Sequence, residues 1–451
     1  MTTIPECARL LQQLFTDFAD QAARDVGFIQ RQRELTGAAF VQAVTFGWLD
    51  DPHAALSDLR DLCGTLGANL SCQALAQRFG PAAAELLASV VQEALHHAVS
   101  AAPAALPVLQ RFQGVYAFDS STISLPAVLA DWLPGCGGGT PPAGQTACPA
   151  GQAACKVQLC VELSAGALED VVVFDGRTND LESPLAYRPL PEGALRLADL
   201  GFYDLDLLQR YSSEGVYWLS RLHSGTRLWR DDRKYTLLAF LQAHGGGGPV
   251  DTWVELGAQR LPARLLARPL SEEAANRRRQ RLKRQAQKRG DRLSAERLAL
   301  ADWDVLITNV PAEQLTLREA WALKRVRWQV ELLFKVWKSE GRLDELRGRQ
   351  PYRLVCELWA KLLAMIVQHW LLLVCGGVSL LYSHRQGARR VRRLALWLLW
   401  HLETEPERVL EQLRQRLARC RIQARRGQPA TFQLLLEPGE KYAAHPCYAL
   451  N

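Results

Sequence analysis

Five short β-type runs lie between Gly114 and Leu222: "GVYAFDSSTISLP", "CKVQLCVEL", "DVVVFDG", "ALRLAD" and "VYWLSRL". Each is bounded by turn residues and rich in β-branched or aromatic side chains, which is the composition of strands. Between the last two, "LGFYDLDLLQRYSSEG" reads as a glycine turn followed by a helix. Strands that alternate with helical segments fold as an α/β sheet, so this stretch sets the fold class. The first hundred residues read instead as short helices, and the chain after Thr316 is mostly helical.

At 451 residues and 48% hydrophobic content the chain can bury a large core in two or three domains. Composition shifts suggest a helical segment at 1–110, an α/β segment at 111–222 that resumes at 301–400, a β-rich and basic insertion at 223–300, and a helical segment at 401–451. The N-terminus "MTTIPECARLLQQLF" lacks a basic segment leading into a long apolar core, so no signal peptide is expected. The eleven cysteines show no even-spaced framework and fit reduced thiols in a cytoplasm. Cys136, Cys148 and Cys155 frame a Gly/Pro-rich loop, but without a C-x-x-C pair or a nearby histidine they make a poor zinc site. The most apolar stretch, Lys361 to Leu381, is interrupted by Gln368, His369 and Gly376-Gly377 and reads as a buried central helix rather than a membrane span.

The formal charge is +7, and the cations are clustered. One run, Asn276 to Arg292, contains Arg277, Arg278, Arg279, Arg281, Lys283 and Arg284; another spans His384 to Arg393. Such density suits a polyanion, either nucleic acid or an anionic membrane surface. Near the N-terminus, Pro52 to Gly67 and the segment capped by Ser71 form a helical pair. It reads equally as an ordinary hairpin or as a helix-turn-helix that presents Gln73, Gln77 and Arg78 to DNA.

The segment "RWQVELLFKVWK" sets one glutamate among cations. At about 100° per residue, Lys324, Arg327, Glu331, Lys335 and Lys338 fall within one arc of roughly 80° beside an apolar face. Alone, this describes a solvated face of i,i+4 ion pairs. Two further acids change its meaning: Asp119 and Asp199 each end an apolar strand run, and strand-end acids can converge at one sheet edge. Each alone is also explained as a turn-capping residue. Three carboxylates around one point repel unless a cation joins them, and all-oxygen ligation suits Mg²⁺ or Mn²⁺. Two such ions roughly 3.5–4 Å apart are the apparatus of in-line phosphoryl transfer. Arg327, Lys335 and Lys338 would then hold phosphates beside them.

Taken together, "FDSSTISLP", "LADLGFYDLDLL" and "RWQVELLFKVWK" resemble, in order and spacing, the three catalytic blocks of bacterial insertion-sequence DDE transposases of the insertion-sequence-four group. The third block of that group reads tyrosine, two residues, arginine, three residues, glutamate, six residues, lysine. Arg327, Glu331 and Lys338 match it, while Lys324 stands at the tyrosine position. The resemblance covers about Gly114 to Gln368. It implies a ribonuclease-H-like mixed sheet flanked by helices and interrupted by a β-rich insertion, with an N-terminal helical DNA-binding domain. It further implies that Asp119, Asp199 and Glu331 are a metal-binding catalytic triad, and that the activity is DNA cleavage and strand transfer by a dimer on double-stranded DNA. Members often pass through a DNA hairpin with a flipped base stacked on an insertion tryptophan, for which Trp229 and Trp253 are candidates. A copy that only binds DNA and a nuclease that does not join strands are the alternatives. No G-x-x-x-x-G-K-[ST], H-E-x-x-H or G-x-S-x-G occurs, so nucleotide hydrolysis, zinc proteolysis and serine-hydrolase chemistry have no support.

Overall fold

In the computed structural model, residues 1–31, 34–135, 153–377 and 383–420 are described. The apolar periodicity of the first hundred residues folds into α1 (Ile4–Gln13), α2 (Ala19–Asp25), α3 (Gly37–Asp50), α4 (Leu56–Thr65), α5 (Cys72–Arg78) and α6 (Pro81–His96). α3 is buried along nearly its whole length, and Gly37 lets α2 approach: a Cβ there would stand 2.3 Å from that of Ala23. The pair expected to present a recognition helix is α4 and α5, joined through Gly67 at φ +85°. Ser71 caps α5 by accepting from the Ala74 amide at 3.1 Å. α5 stops after seven residues because Gly80-Pro81 begins a new helix.

Ten strands form one mixed sheet among the described residues. They are β1 (Val115–Leu125), β2 (Ala153–Glu162), β3 (Leu168–Asp175), β4 (Leu195–Leu197), β5 (Tyr217–Arg221), β6 (Leu228–Arg230), β7 (Arg233–Tyr235), β8 (Val250–Leu256), β9 (Leu261–Pro269) and β10 (Trp303–Thr308). Their order is β3-β2-β1-β4-β5-β10-β9-β8-β6-β7. β1 to β3 are antiparallel neighbours, while β4 runs parallel to β1 and β5 parallel to β4. This first half is consistent with the expected ribonuclease-H-like sheet.

One expectation needs correction. Asp119 is not a strand-end acid: Ser120, Ser121 and Thr122 continue β1 to Leu125 because β2 pairs with every one of them, so the acid lies in mid-strand. Segment 223–300 interrupts the chain between β5 and β10, which pair with each other, and its own strands lengthen the sheet beyond β10. The segment also holds α8 (Leu237–His244) and the basic α9 (Glu272–Arg289), besides its strands.

Helix α7 (Leu205–Ser213) links β4 to β5, and the short α10 (Ala295–Ala299) leads into β10. Beyond β10 come α11 (Leu317–Val326), α12 (Trp328–Ser339), α13 (Pro351–Gly376), α14 (His384–Arg392), α15 (Ala395–His401) and α16 (Pro406–Leu417). α13 is long and apolar enough to cross a membrane, yet 89% of its apolar window is buried inside the protein, against α3, α6, α14 and α16. It is the central buried helix expected of that stretch. One ion pair sits within it: Lys361 Nζ lies 2.8 Å from Glu357 Oε1, and the lysine, 0% exposed, also donates to the Glu345 carbonyl at 2.7 Å. Removing the carboxylate strands a buried cation. Glu357→Ala is therefore expected to cost about 3–5 kcal/mol, read as a lowered midpoint in urea denaturation.

Candidate functional site

The parallel pairing of β1 with β4 matches Val115 to Leu195, Tyr116 to Arg196 and Ala117 to Leu197. Asp119 and Asp199 each lie two residues past the last of these pairs, Asp119 still within β1 and Asp199 just beyond β4, where it caps the turn Leu200–Phe202. Val115, Ala117, Leu195 and Leu197 alternate into the main helical core, and both acids share their parity. Phe118 and Ala198 face the other side. The two carboxylates thus belong to the sheet face that α12 covers.

α12 docks there through Val330, Leu333, Phe334 and Trp337, all buried in the same core. This leaves its charged edge over the acids. Arg327, at the junction of α11 and α12, places Nη1 3.3 Å from Asp119 Oδ1 and Nη2 2.7 Å from Glu331 Oε1. Asp199 Oδ1 accepts from the Gly201 amide at 2.8 Å. Burial, opposed by Arg327 and reinforced by the negative fields of Asp199 and Glu331, pushes the Asp119 carboxyl up to about 7. At 8% exposure it is the most enclosed of the three acids.

Lys324 was expected on the same charged arc. It lines the cavity that also holds Asp199 and Arg327, but its ammonium lies 2.5 Å from Asp304 on β10. The helical run breaks at Arg327, and Asp304, 4% exposed, draws Lys324 together with Arg268 at 3.5 Å and Arg278 at 3.6 Å. Burial pushes the lysine down to about 8 despite Asp304. Burial pushes Asp304 up, but its three cations outweigh that and hold it below the usual carboxylate range.

The remaining cations divide into two groups. Lys338 donates to the Thr122 carbonyl of β1 at 2.7 Å, and the exposed Lys335 lies over the Trp328 ring at 4.5 Å, so both stay on the triad's helix. On α9, Arg278 donates to the Trp303 carbonyl at 2.6 Å, Arg279 pairs with Asp302 and Glu272, and Arg277 lies 3.3 Å from Glu273. Arg281, Lys283 and Arg284 are exposed. The structure does not bring α9 into contact with the triad itself; Asp304 links them. In the N-terminal pair, Gln73 and Gln77 are exposed, but Arg78 is turned inward over the Phe28 ring at 4.2 Å and donates to the Phe28 carbonyl. Trp229 donates to the Gly257 carbonyl at 3.0 Å under Arg260, and Trp253 on β8 is half exposed. Cys136 and Cys148 lie outside the described residues; Cys155 is a buried strand thiol pushed up to about 12 by burial.

Residues Asp119, Asp199 and Glu331 supply only hard oxygen donors, which suit a divalent ion such as Mg²⁺. Among the described residues no three acids converge closely enough to enclose one. Arg327 fills the intervening space, and its Nη1 makes no hydrogen bond, so it supplies charge there without being held. The donor set therefore fits a cation once Arg327 yields room. Asp304 and Arg268 carry no spacing signal in the sequence, the first lying between Trp303 and Val305 in a strand and the second near the end of another.

Residues 110–367 match the family described as transposase DDE domain. The chain is 26% identical over 376 residues to the transposase for insertion sequence element IS1151 of Clostridium perfringens, covering 77% of this chain and 76% of that one. It is 26% identical over 388 residues to the transposase for IS231E of Bacillus thuringiensis subsp. finitimus, covering 79% and 77%. A shorter match, 29% over 175 residues, is to the putative transposase InsL for IS186A of Escherichia coli (strain K12), covering 37% and 45%.

The raised Asp119 carboxyl has a definite pH signature. Below pH 4 the acid is protonated in both folded and unfolded chains and contributes nothing; between about 4 and 7 only the unfolded chain ionises, so stability falls as pH rises. Asp119→Asn removes this penalty. In metal-free protein its Tm should exceed that of the unsubstituted chain above pH 7 and converge with it near pH 4, as read by calorimetry across that range.

Proposed function

Because the chain belongs to the transposase DDE domain family, we propose that Asp119, Asp199 and Glu331 are the metal-binding carboxylates of a DNA-cleaving, strand-transferring insertion-sequence transposase. The observation that carries this reading is that Arg327 joins Asp119 on β1 to Glu331 on α12, while Asp199 follows directly after β4, the parallel neighbour of β1. Like charges so placed need a counter-charge, and the reaction needs one too.

Divalent metal bound by the three acids supplies an activated attacking oxygen and a stabilised leaving oxygen for in-line displacement at phosphorus. We assign Mg²⁺, with Mn²⁺ able to substitute, and two ions per site. Around them the protein's own groups position DNA. Arg327 has a fork geometry that grips phosphate oxygens once it leaves Asp119 and Glu331. Lys335 and Lys338, about two and three turns beyond Arg327 on α12, offer point charges to the next phosphates. The cavity beside Asp199, lined by Arg221, Arg268 and Lys324, keeps the surroundings positive where a polyanion must approach. Of the basic α9 run, Arg277, Arg281, Lys283 and Arg284 are exposed and suit phosphate contacts, whereas Arg278 and Arg279 are engaged inside the protein. Two copies on paired element ends make the working assembly.

Two experiments test these assignments. With labelled DNA carrying the flanking ends of the element and Mg²⁺ or Mn²⁺, the unsubstituted protein should nick and join. Asp119→Asn, Asp199→Asn and Glu331→Gln should each drop both products below detection while end binding persists. Full activity in any one variant removes that residue from the triad, and binding without cleavage in every protein points to a DNA-binding copy. Separately, Arg281→Ala, Lys283→Ala and Arg284→Ala should each weaken DNA binding evenly across sequences and reduce the slope of log K against log salt by about 1. An unchanged slope excludes that helix from the interface.

A further inference from the structure

Asp180 lies in the 3₁₀ turn Asp180–Glu182, eighteen or more residues from any member of the triad in sequence. Its carboxylate is well enclosed and meets three strand residues at once. Oδ2 accepts from the Ser120 hydroxyl at 3.0 Å; Oδ1 lies 3.1 Å from Lys156 Nζ and accepts from the Gln158 amide at 3.2 Å. Its carbonyl takes a further bond from Gln158 at 3.1 Å. Ser120 follows Asp119 on β1, and Gln158 is its register partner on β2.

The same carboxylate meets the turn that carries Asp199. A Cβ built on Gly201 would lie 2.6 Å from Asp180 Oδ2 and 3.1 Å from Asp199 Oδ1. Gly201 is not in the left-handed region, so no backbone conformation demands glycine there. The demand is steric: two carboxylates close over that residue from both sides, one of them held by its amide.

We propose that Asp180 is a positioning residue for the site, a fourth carboxylate that sets Asp119 and Asp199 relative to each other without joining them as a metal ligand. Holding Ser120 fixes the β1 backbone next to Asp119, whose side chain points to the opposite face. Lying against Gly201 fixes the Asp199 turn. Both Asp180 oxygens are occupied by protein donors, and Lys156 neutralises its charge, so it adds rigidity and no further repulsion. The inference rests on the reading of Asp119 and Asp199 as metal-binding carboxylates.

The test uses the full chain, with Mn²⁺ binding followed by electron paramagnetic resonance in the absence of DNA, Tm by calorimetry, and end cleavage. Asp180→Asn leaves Lys156 and Gln158 facing an amide, and Gly201→Ala keeps the carboxylate but forces it aside. Each should weaken Mn²⁺ binding about 10–100-fold, the effect of losing a group that orients metal ligands, with cleavage falling in parallel. The double variant Lys156→Met/Asp180→Asn removes the stranded cation and should recover Tm but not Mn²⁺ affinity. Unchanged Mn²⁺ affinity in both single variants, or affinity regained together with Tm in the double variant, would overturn the proposal. Glu331→Gln separates the two readings: undiminished Mn²⁺ affinity there removes the triad assignment, while undiminished affinity in Asp180→Asn and Gly201→Ala removes only the role of Asp180.

Discussion

Two carboxylates placed by neighbouring parallel strands repel each other, and the architecture around them answers that repulsion. Asp119 sits within β1 and Asp199 directly after its parallel neighbour β4, so each acid lies in the field of the other. Burial sharpens the conflict, because a low effective dielectric strengthens every uncompensated charge. The protein offers three responses. Arg327 reaches across from α12, Asp199 binds the Gly201 amide, and Asp119 holds its proton to about neutral pH. None satisfies the site completely. Arg327 Nη1 lies in ion-pair range of Asp119 but makes no hydrogen bond, which leaves a charged donor for an anionic oxygen.

The lengthened sheet carries a second electrostatic centre that supports the first. Asp304 gathers Lys324 from α11, Arg268 from β9 and Arg278 from α9, so a single buried carboxylate ties the basic helix to the helical run that bears Glu331. Cations outnumber acids there, and the surplus lines the cavity next to Asp199. Lys324 stands where the related third block has tyrosine, and its geometry explains how a lysine is accommodated. A phenol would leave Asp304 with two guanidinium partners; an ammonium gives it a third at hydrogen-bonding distance.

The α/β class and the Arg327–Glu331 spacing were legible because strands and helices impose periodicities of 2 and 3.6 that survive in a single sequence. The central helix α13 was legible for the same reason. What stayed hidden depended on partners distant in sequence. Asp119 lies in mid-strand because β2 pairs with Ser120, Ser121 and Thr122, although the apolar part of the run stops at Phe118. The insertion extends the sheet because β9 finds β10, a pairing no local pattern announces. Lys324 leaves its arc for Asp304, Arg78 turns onto Phe28, and half of the basic run pairs within the protein. In each case tertiary contact overrode a helical projection that was locally sound.

The second basic run, His384 to Arg393, makes the same point about cations with a structural consequence. Arg385 and Arg389 both reach Glu340, at 2.6 Å and 3.0 Å, and Arg392 donates to the Asp50 carbonyl at 2.6 Å. Glu340 caps the C-terminal end of α12, where a carboxylate opposes the helix dipole and needs cationic partners. The two arginines hold it below the usual carboxylate range despite burial. α12 is therefore fixed near its start by Arg327 and beyond its last turn by α14, with Lys338 bonded to β1 between them. A helix anchored at both ends cannot rotate its charged edge away from the sheet. The position of Glu331 is thus set by its own ion pair to Arg327 together with contacts that lie up to nine residues away from it.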